Sequence, residues 1–167
     1  MTLSLRSLSI ISALTIVLAG CGQSTADKAL ENTIEKETGG AATVDTEDGT
    51  VQVTTSEGSF TAGTNTLPAD WPADIPVFKD AIVQLSGATN EEGEDGGSMA
   101  VLMTTEPAQA VMDYYTAALK ENGWTIDSTM AAQGLNILTG TKDDRAITLS
   151  VAEAEGQTTI TIGTGKK

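Results

Sequence analysis

The chain has one cysteine and no histidine, so the question of chemistry narrows at once to Cys21 and the carboxylates. Without histidine the commonest general base is gone, and with it the Ser-His-Asp and Cys-His arrangements and most zinc sites. A lone cysteine excludes an intrachain disulfide and an iron–sulfur cluster. What is left is carboxylate, lysine, serine or tyrosine chemistry, and no motif marks any of it: the sequence has no Gly-rich phosphate loop, no G-x-S-x-G and no S-x-x-K. No catalytic residue, metal ligand or cofactor is expected from these residues.

Two acidic groups invite a site reading. Residues 90–97, "NEEGEDGG", gather Glu91, Glu92, Glu94 and Asp95. Calcium loops of the EF-hand type need glycine at the sixth position, which here is Asp95, so the pattern fails. A solvated hairpin loop rich in glycine is the better reading, with passive cation binding as the alternative. The adjacent pair Asp143-Asp144 reads as a turn former. A carboxylate hydrolase therefore ranks low, because no paired acids fall on elements expected to be rigid.

Cys21 sits where an apolar run turns polar, in "LTIVLAGCGQST". Ahead of it lie one base, Arg6, no acid, and a mainly apolar stretch from Leu8 to Gly20. That stretch is short of the ~20 apolar residues a stable spanning helix needs, and it has the layout of a secretory signal. Leu18-Ala19-Gly20-Cys21 resembles the lipobox of bacterial lipoproteins. The resemblance implies that residues 1–20 are removed as a signal peptide and that the Cys21 sulfur carries a diacylglycerol. Two or more acyl chains would hold the protein stably on a membrane. The resemblance further implies that Gly22 would permit transfer to the outer membrane in a two-membrane bacterium of the enteric kind, and that in a one-membrane cell the same anchor would leave the domain outside the plasma membrane.

Removing the first 20 residues, in which Arg6 is the one charged side chain, takes the formal charge from −14 to −15. So acidic a surface repels phosphate backbones and anionic head groups. Nucleic acid is excluded as a partner, and membrane contact is expected through the N-terminal lipid alone. An envelope protein is a possible partner, and no small-molecule substrate suggests itself.

The elements that would position these residues follow from periodicity. Residues 21–40 form a lipid-anchored linker and a short helix, Ala26 to Thr38, with Ser24 or Thr25 as N-cap and Leu30 and Ile34 as its docking stripe. Residues 41–63 alternate as a three-stranded meander with turns at "EDG" and "EG", burying Val44, Val51, Val53 and Phe60. Such a meander must pack on its neighbours. Residues 64–78, "TNTLPADWPADIPVF", are a stiff proline-rich connector pinned by Trp71, Ile75 and Phe78.

The main α+β domain, 79–167, reads as an antiparallel sheet in the order ββαββββ with one helix packed on one face. Thr105 is its expected N-cap, and Ala108, Val111, Met112, Tyr115, Ala118 and Leu119 its apolar face. Gly123 is the stop, with Trp124 folding back. In the last strands Ile147, Leu149, Val151, Ile160 and Ile162 face the core, and Thr148, Ser150, Thr159 and Thr161 face away. That flat uncharged face could take a partner strand or polymer, or be an ordinary wet sheet face. The C-terminal strand is expected at a sheet edge guarded by Lys166 and Lys167.

Together, the lipobox, "LPADWPADIPVF" and "YYTAALKENGW" resemble a group of small bacterial lipoproteins. The resemblance implies an envelope location and a water-soluble α+β domain, and it carries over no site residues. The expected role is a lipid-anchored, non-catalytic protein-binding or accessory module. The alternative is a passive divalent-cation or surface-charge protein.

Overall fold

The computed structural model describes residues 23–38, 41–45, 50–55, 58–89 and 96–167. Cys21, the leader before it, the meander turns and the acidic residues 91–95 lie outside that set.

The chain forms helix α1 (Gln23–Thr38), strands β1 (Ala41–Asp45), β2 (Thr50–Thr55), β3 (Gly58–Ala62), β4 (Ile82–Thr89) and β5 (Gly97–Thr104), and helix α2 (Ala108–Glu121). Strands β6 (Thr125–Ala132), β7 (Leu135–Lys142), β8 (Arg145–Ala154) and β9 (Gln157–Lys166) follow. All the strands join one antiparallel sheet in the order β1-β2-β3-β4-β5-β9-β8-β7-β6. This is the α+β fold expected from periodicity, with ββαββββ as its main unit and the helix and meander ahead of it.

The meander does not form a layer of its own. Strand β3 pairs with β4, Phe60 opposite Gly87 and Ala62 opposite Leu85, so the meander prolongs the sheet. Helix α1 packs beside β1 at that end, with Leu30 and Ile34 half-buried. It starts at Gln23, which puts Ser24 and Thr25 inside its first turn rather than at its cap. The first-turn amides have no helical partner in any case, so small hydroxyl residues are tolerated there.

One crossover decides the topology. Strand β5 ends mid-sheet, α2 carries the chain to the far edge, and β6 to β9 return as hairpins until β9 pairs with β5. The dimensions agree: a 14-residue helix is ~21 Å long, and the four strand spacings from β5 to β6 span ~19 Å. The C-terminal strand is therefore central, contrary to its expected place at an edge. Lys166 guards nothing there; it lies opposite Arg145 in the β8–β9 pairing. The free edges among the described residues are β1 and β6.

The core lies between α2 and the sheet. Val111, Tyr115 and Leu119 of the helix, Leu102 of β5, Leu138 of β7, Leu149 and Val151 of β8, and Ile160 and Ile162 of β9 are each 0% exposed. The helix start differs from expectation. Pro107, at φ −59° and ψ 146°, is the N-cap and offers no side-chain acceptor. The Ala108 amide instead donates to Glu153 Oε2 at 2.9 Å, a carboxylate from β8 that suits the positive end of the helix. The helix ends as expected. Gly123 takes φ +85°, and Trp124 N–H reaches back to Leu119 O at 2.9 Å while Gly123 N–H bonds Lys120 O at 3.0 Å, which is a Schellman closure.

The connector crosses the helix side of the sheet. Its two Pro-Ala-Asp units each close a turn, Trp71 N–H to Pro68 O and Ile75 N–H to Pro72 O, both at 3.0 Å. The four-residue spacing of the prolines thus delivers Trp71 and Ile75 inward in succession, and Ile75 is 1% exposed.

Candidate functional site

A helix laid across a sheet can enclose a ligand cavity between the two layers. Here that space is filled by Tyr115, Leu119, Val111 and the sheet residues beneath them. The clefts are outside it and open. One, of about 340 Å³, runs between the connector and β3–β4 past Thr66, Ser86 and Asp70. Another, of about 210 Å³, lies beside Pro72, Arg145 and Thr164.

Among the described residues a charge cluster forms at Asp74, in the second connector turn. Lys142 Nζ donates to Asp74 Oδ2 at 2.6 Å and to Asn122 O at 2.8 Å. The Arg145 guanidinium grips both carboxylate oxygens, Nη1 to Oδ1 at 3.1 Å and Nη2 to Oδ2. It also lies 5.0 Å over the Trp124 ring, within cation–π range. The Arg145 hydrogen bond above all, with help from Lys142 and against the opposing effect of burial, holds Asp74 down at about 2. The same bond raises Arg145. A carboxylate so committed neither takes nor gives a proton near neutrality. The cluster is a latch that fastens the connector to the β7–β8 hairpin and the end of α2.

The tyrosines are equally committed. Tyr115 Oη accepts from Phe78 N–H and Tyr114 Oη donates to Val77 O, both at 3.1 Å. Phe78 and Tyr115 each meet Tyr114 edge-on with centroids 5.1 Å away. Burial pushes both phenols above their ordinary range, so they are hinge pins for the connector rather than acids or bases. No group of three or more acidic or cysteine side chains among the described residues is placed to hold a metal.

What the described residues leave uncovered is the other face of the sheet. Register places Ile82, Leu85 and Gly87 of β4 with Met99, Val101 and Met103 of β5, next to Thr159, Thr161 and Gly163 of β9. The row continues through Thr148, Ser150 and Ala152 of β8 to Leu135, Ile137 and Thr139 of β7 and Ser128, Met130 and Ala132 of β6. Phe60 of β3 extends it over Gly87, where a Cβ would stand 2.3 Å from its ring. Helix α2 and the connector lie on the opposite side. Ile82, Met130 and Leu135 are 54%, 60% and 38% exposed. In a chain of formal charge −14, the register of β4 to β9 sets no charged residue on this face. Asp127, in the bulge of β6, reaches its margin, accepting from Thr141 Oγ1 at 3.4 Å.

The sequence-derived candidates are thus sorted. Thr148, Ser150, Thr159 and Thr161 are brought together as expected. Asp143 and Asp144 are exposed turn residues, the first at φ 52°. Val51, Val53 and Phe60 are half-buried rather than core, because they lie on the open side. Cys21 and the acidic loop fall outside the described residues. Sequence reasoning missed the Asp74 latch and the apolar flanks of the open face; the signal for the flanks was that β4 and β5 are apolar at consecutive positions, which a strand covered on one side does not need. Among the described residues no helix is long and apolar enough to cross a membrane.

No curated protein and no solved structure matches the chain. Residues 83–159 match the family described as START domain-like, and the matched stretch is the helix-on-sheet unit from β4 into β9.

Proposed function

We propose that the protein is a lipid-anchored module of the cell envelope, tethered through Cys21, that binds a protein partner through the open face of its sheet and performs no catalysis. The observation that carries this reading is the uncharged open face on an otherwise strongly acidic molecule. The remaining geometry supports it: the interior is filled, Asp74 is locked between two cations, and the buried Tyr115 and half-buried Tyr114 both serve the connector. A surface free of charge loses little on desolvation, whereas burying unpaired carboxylates would be costly.

Two measurements test it. Mass spectrometry of the mature N-terminus should find an acylated Cys21, and Cys21→Ser should move the chain from the membrane to the aqueous fraction. A photo-crosslinking residue at Thr148, on the open face, should form protein adducts in intact cells, while one at Ala117, exposed on α2, should not. Equal labelling at the two positions, or none at either, would reject the binding face.

A further inference from the structure

The open face has a size, a charge and a composition, and together they select an occupant. Its six strands from β4 to β9, taken at ~4.8 Å spacing and ~27 Å of length, offer roughly 780 Å². A stable protein–protein interface uses about 800 Å² on each partner. The face is therefore large enough alone, without the meander.

Charge narrows the choice. A basic partner would find only Asp127, at the margin, to pair with on this face, and a partner with acids on its own binding surface would bury them against a face that supplies no cation. A second neutral sheet face meets neither objection. The composition also complements itself. Two strands bearing Thr148, Ser150, Thr159 and Thr161 run through the middle, with apolar strands on both sides: Leu85, Met99, Val101 and Met103 on one, Leu135, Ile137 and Met130 on the other. A two-fold axis along the middle strands lays hydroxyls over hydroxyls, which can donate and accept alike. It lays the methionine flank over the isoleucine and leucine flank, as in the aligned packing of two sheets about 10 Å apart. The same self-matching is what an isologous interface requires.

We infer that the partner of the open face is a second copy of this chain, seated face to face as a two-fold sandwich. The inference rests on the open face being a binding surface. Confinement to a membrane by the lipid on Cys21 raises the effective concentration of the copies. Because each copy without residues 1–20 carries a formal charge of −15, salt strengthens the pair by screening the repulsion between their outer surfaces.

Disulfide scanning in native membranes tests this, since the chain has no other cysteine than Cys21. Thr148→Cys, Ser150→Cys, Thr159→Cys and Thr161→Cys, each oxidised in turn, sample the middle of the face, and Ala117→Cys on α2 is the control. The expected result is a species of twice the chain mass from at least one face position, at least tenfold above the control, rising with sodium chloride. Adding Ser150→Lys should abolish the crosslink at Thr161→Cys while circular dichroism shows the sheet intact. Monomer from every face position overturns the inference, as does a crosslink that survives Ser150→Lys. If photo-crosslinking at Thr148 then finds a different protein, the binding face stands and only the identity of its occupant is wrong; if it finds nothing, both readings fall.

Discussion

At the scale of single residues, Asp74 ties a turn of the connector to side chains 68 and 71 positions further on. Its carboxyl lies at about 2 instead of the ordinary 3.8, so it is bound more tightly as an anion in the folded chain than in the unfolded one. A depressed carboxylate stabilises the fold above its unfolded value, and the contribution disappears as pH falls from about 4 toward about 2. Asp74→Asn should therefore cost about 1 kcal/mol at pH 6, a figure reduced for the solvent that reaches this half-buried group. The gap between the two proteins in urea denaturation should close by about pH 2; a gap that persists there would mean that packing, not charge, holds the latch. Tyr115→Phe tests the neighbouring pin. It strips the Phe78 amide of its acceptor without changing the ring, and should destabilise by roughly 1–3 kcal/mol.

At the scale of elements, α2 shows how a helix end is set by something distant. The interior and the end of this helix were legible in the sequence, because an apolar stripe and a glycine stop are local signals. Its start was not. Thr105 has the right chemistry for a cap, but Pro107 sits at the N-cap instead, and the acceptor for the first amide comes from Glu153, 45 residues on. Glu153→Ala should cost about 1 kcal/mol, and Thr105→Ala less than about 0.5 kcal/mol; thermal unfolding of the two variants checks the order, and the reverse order would restore the local cap. The β6–β7 hairpin has a comparable pinch. A Cβ on Gly140 would lie 2.8 Å from the Thr125 carbonyl oxygen, with Ile147 at 3.3 Å on its other side. The backbone of a paired strand does not yield easily, so Gly140→Ala should destabilise by about 1–3 kcal/mol in the same assay.

At the scale of the whole molecule, alternation in β8 and β9 showed which residues point away from the core, so the hydroxyl half of the open face could be read from the sequence. Strand order could not, because a strand's neighbours depend on where a crossover lands, and α2 carries the chain past three places before β6 is laid down. That is why β9 was expected at an edge and lies at the centre, and why the apolar flanks of the face went unrecognised. Charge acts at this same scale. A formal −14 on 167 residues repels itself, so compaction is opposed by a long-range force that salt screens over a Debye length of ~10 Å at ~0.1 M. The melting temperature should accordingly rise with ionic strength. The comparison between salts is the informative part: about 10 mM calcium chloride and about 30 mM sodium chloride have the same ionic strength, and screening alone makes them equivalent to first order. Matching melting temperatures in the two would assign the acids to a diffuse charged surface. A clear excess in calcium would instead locate a specific cation site, and residues 90–97 would be the first place to substitute.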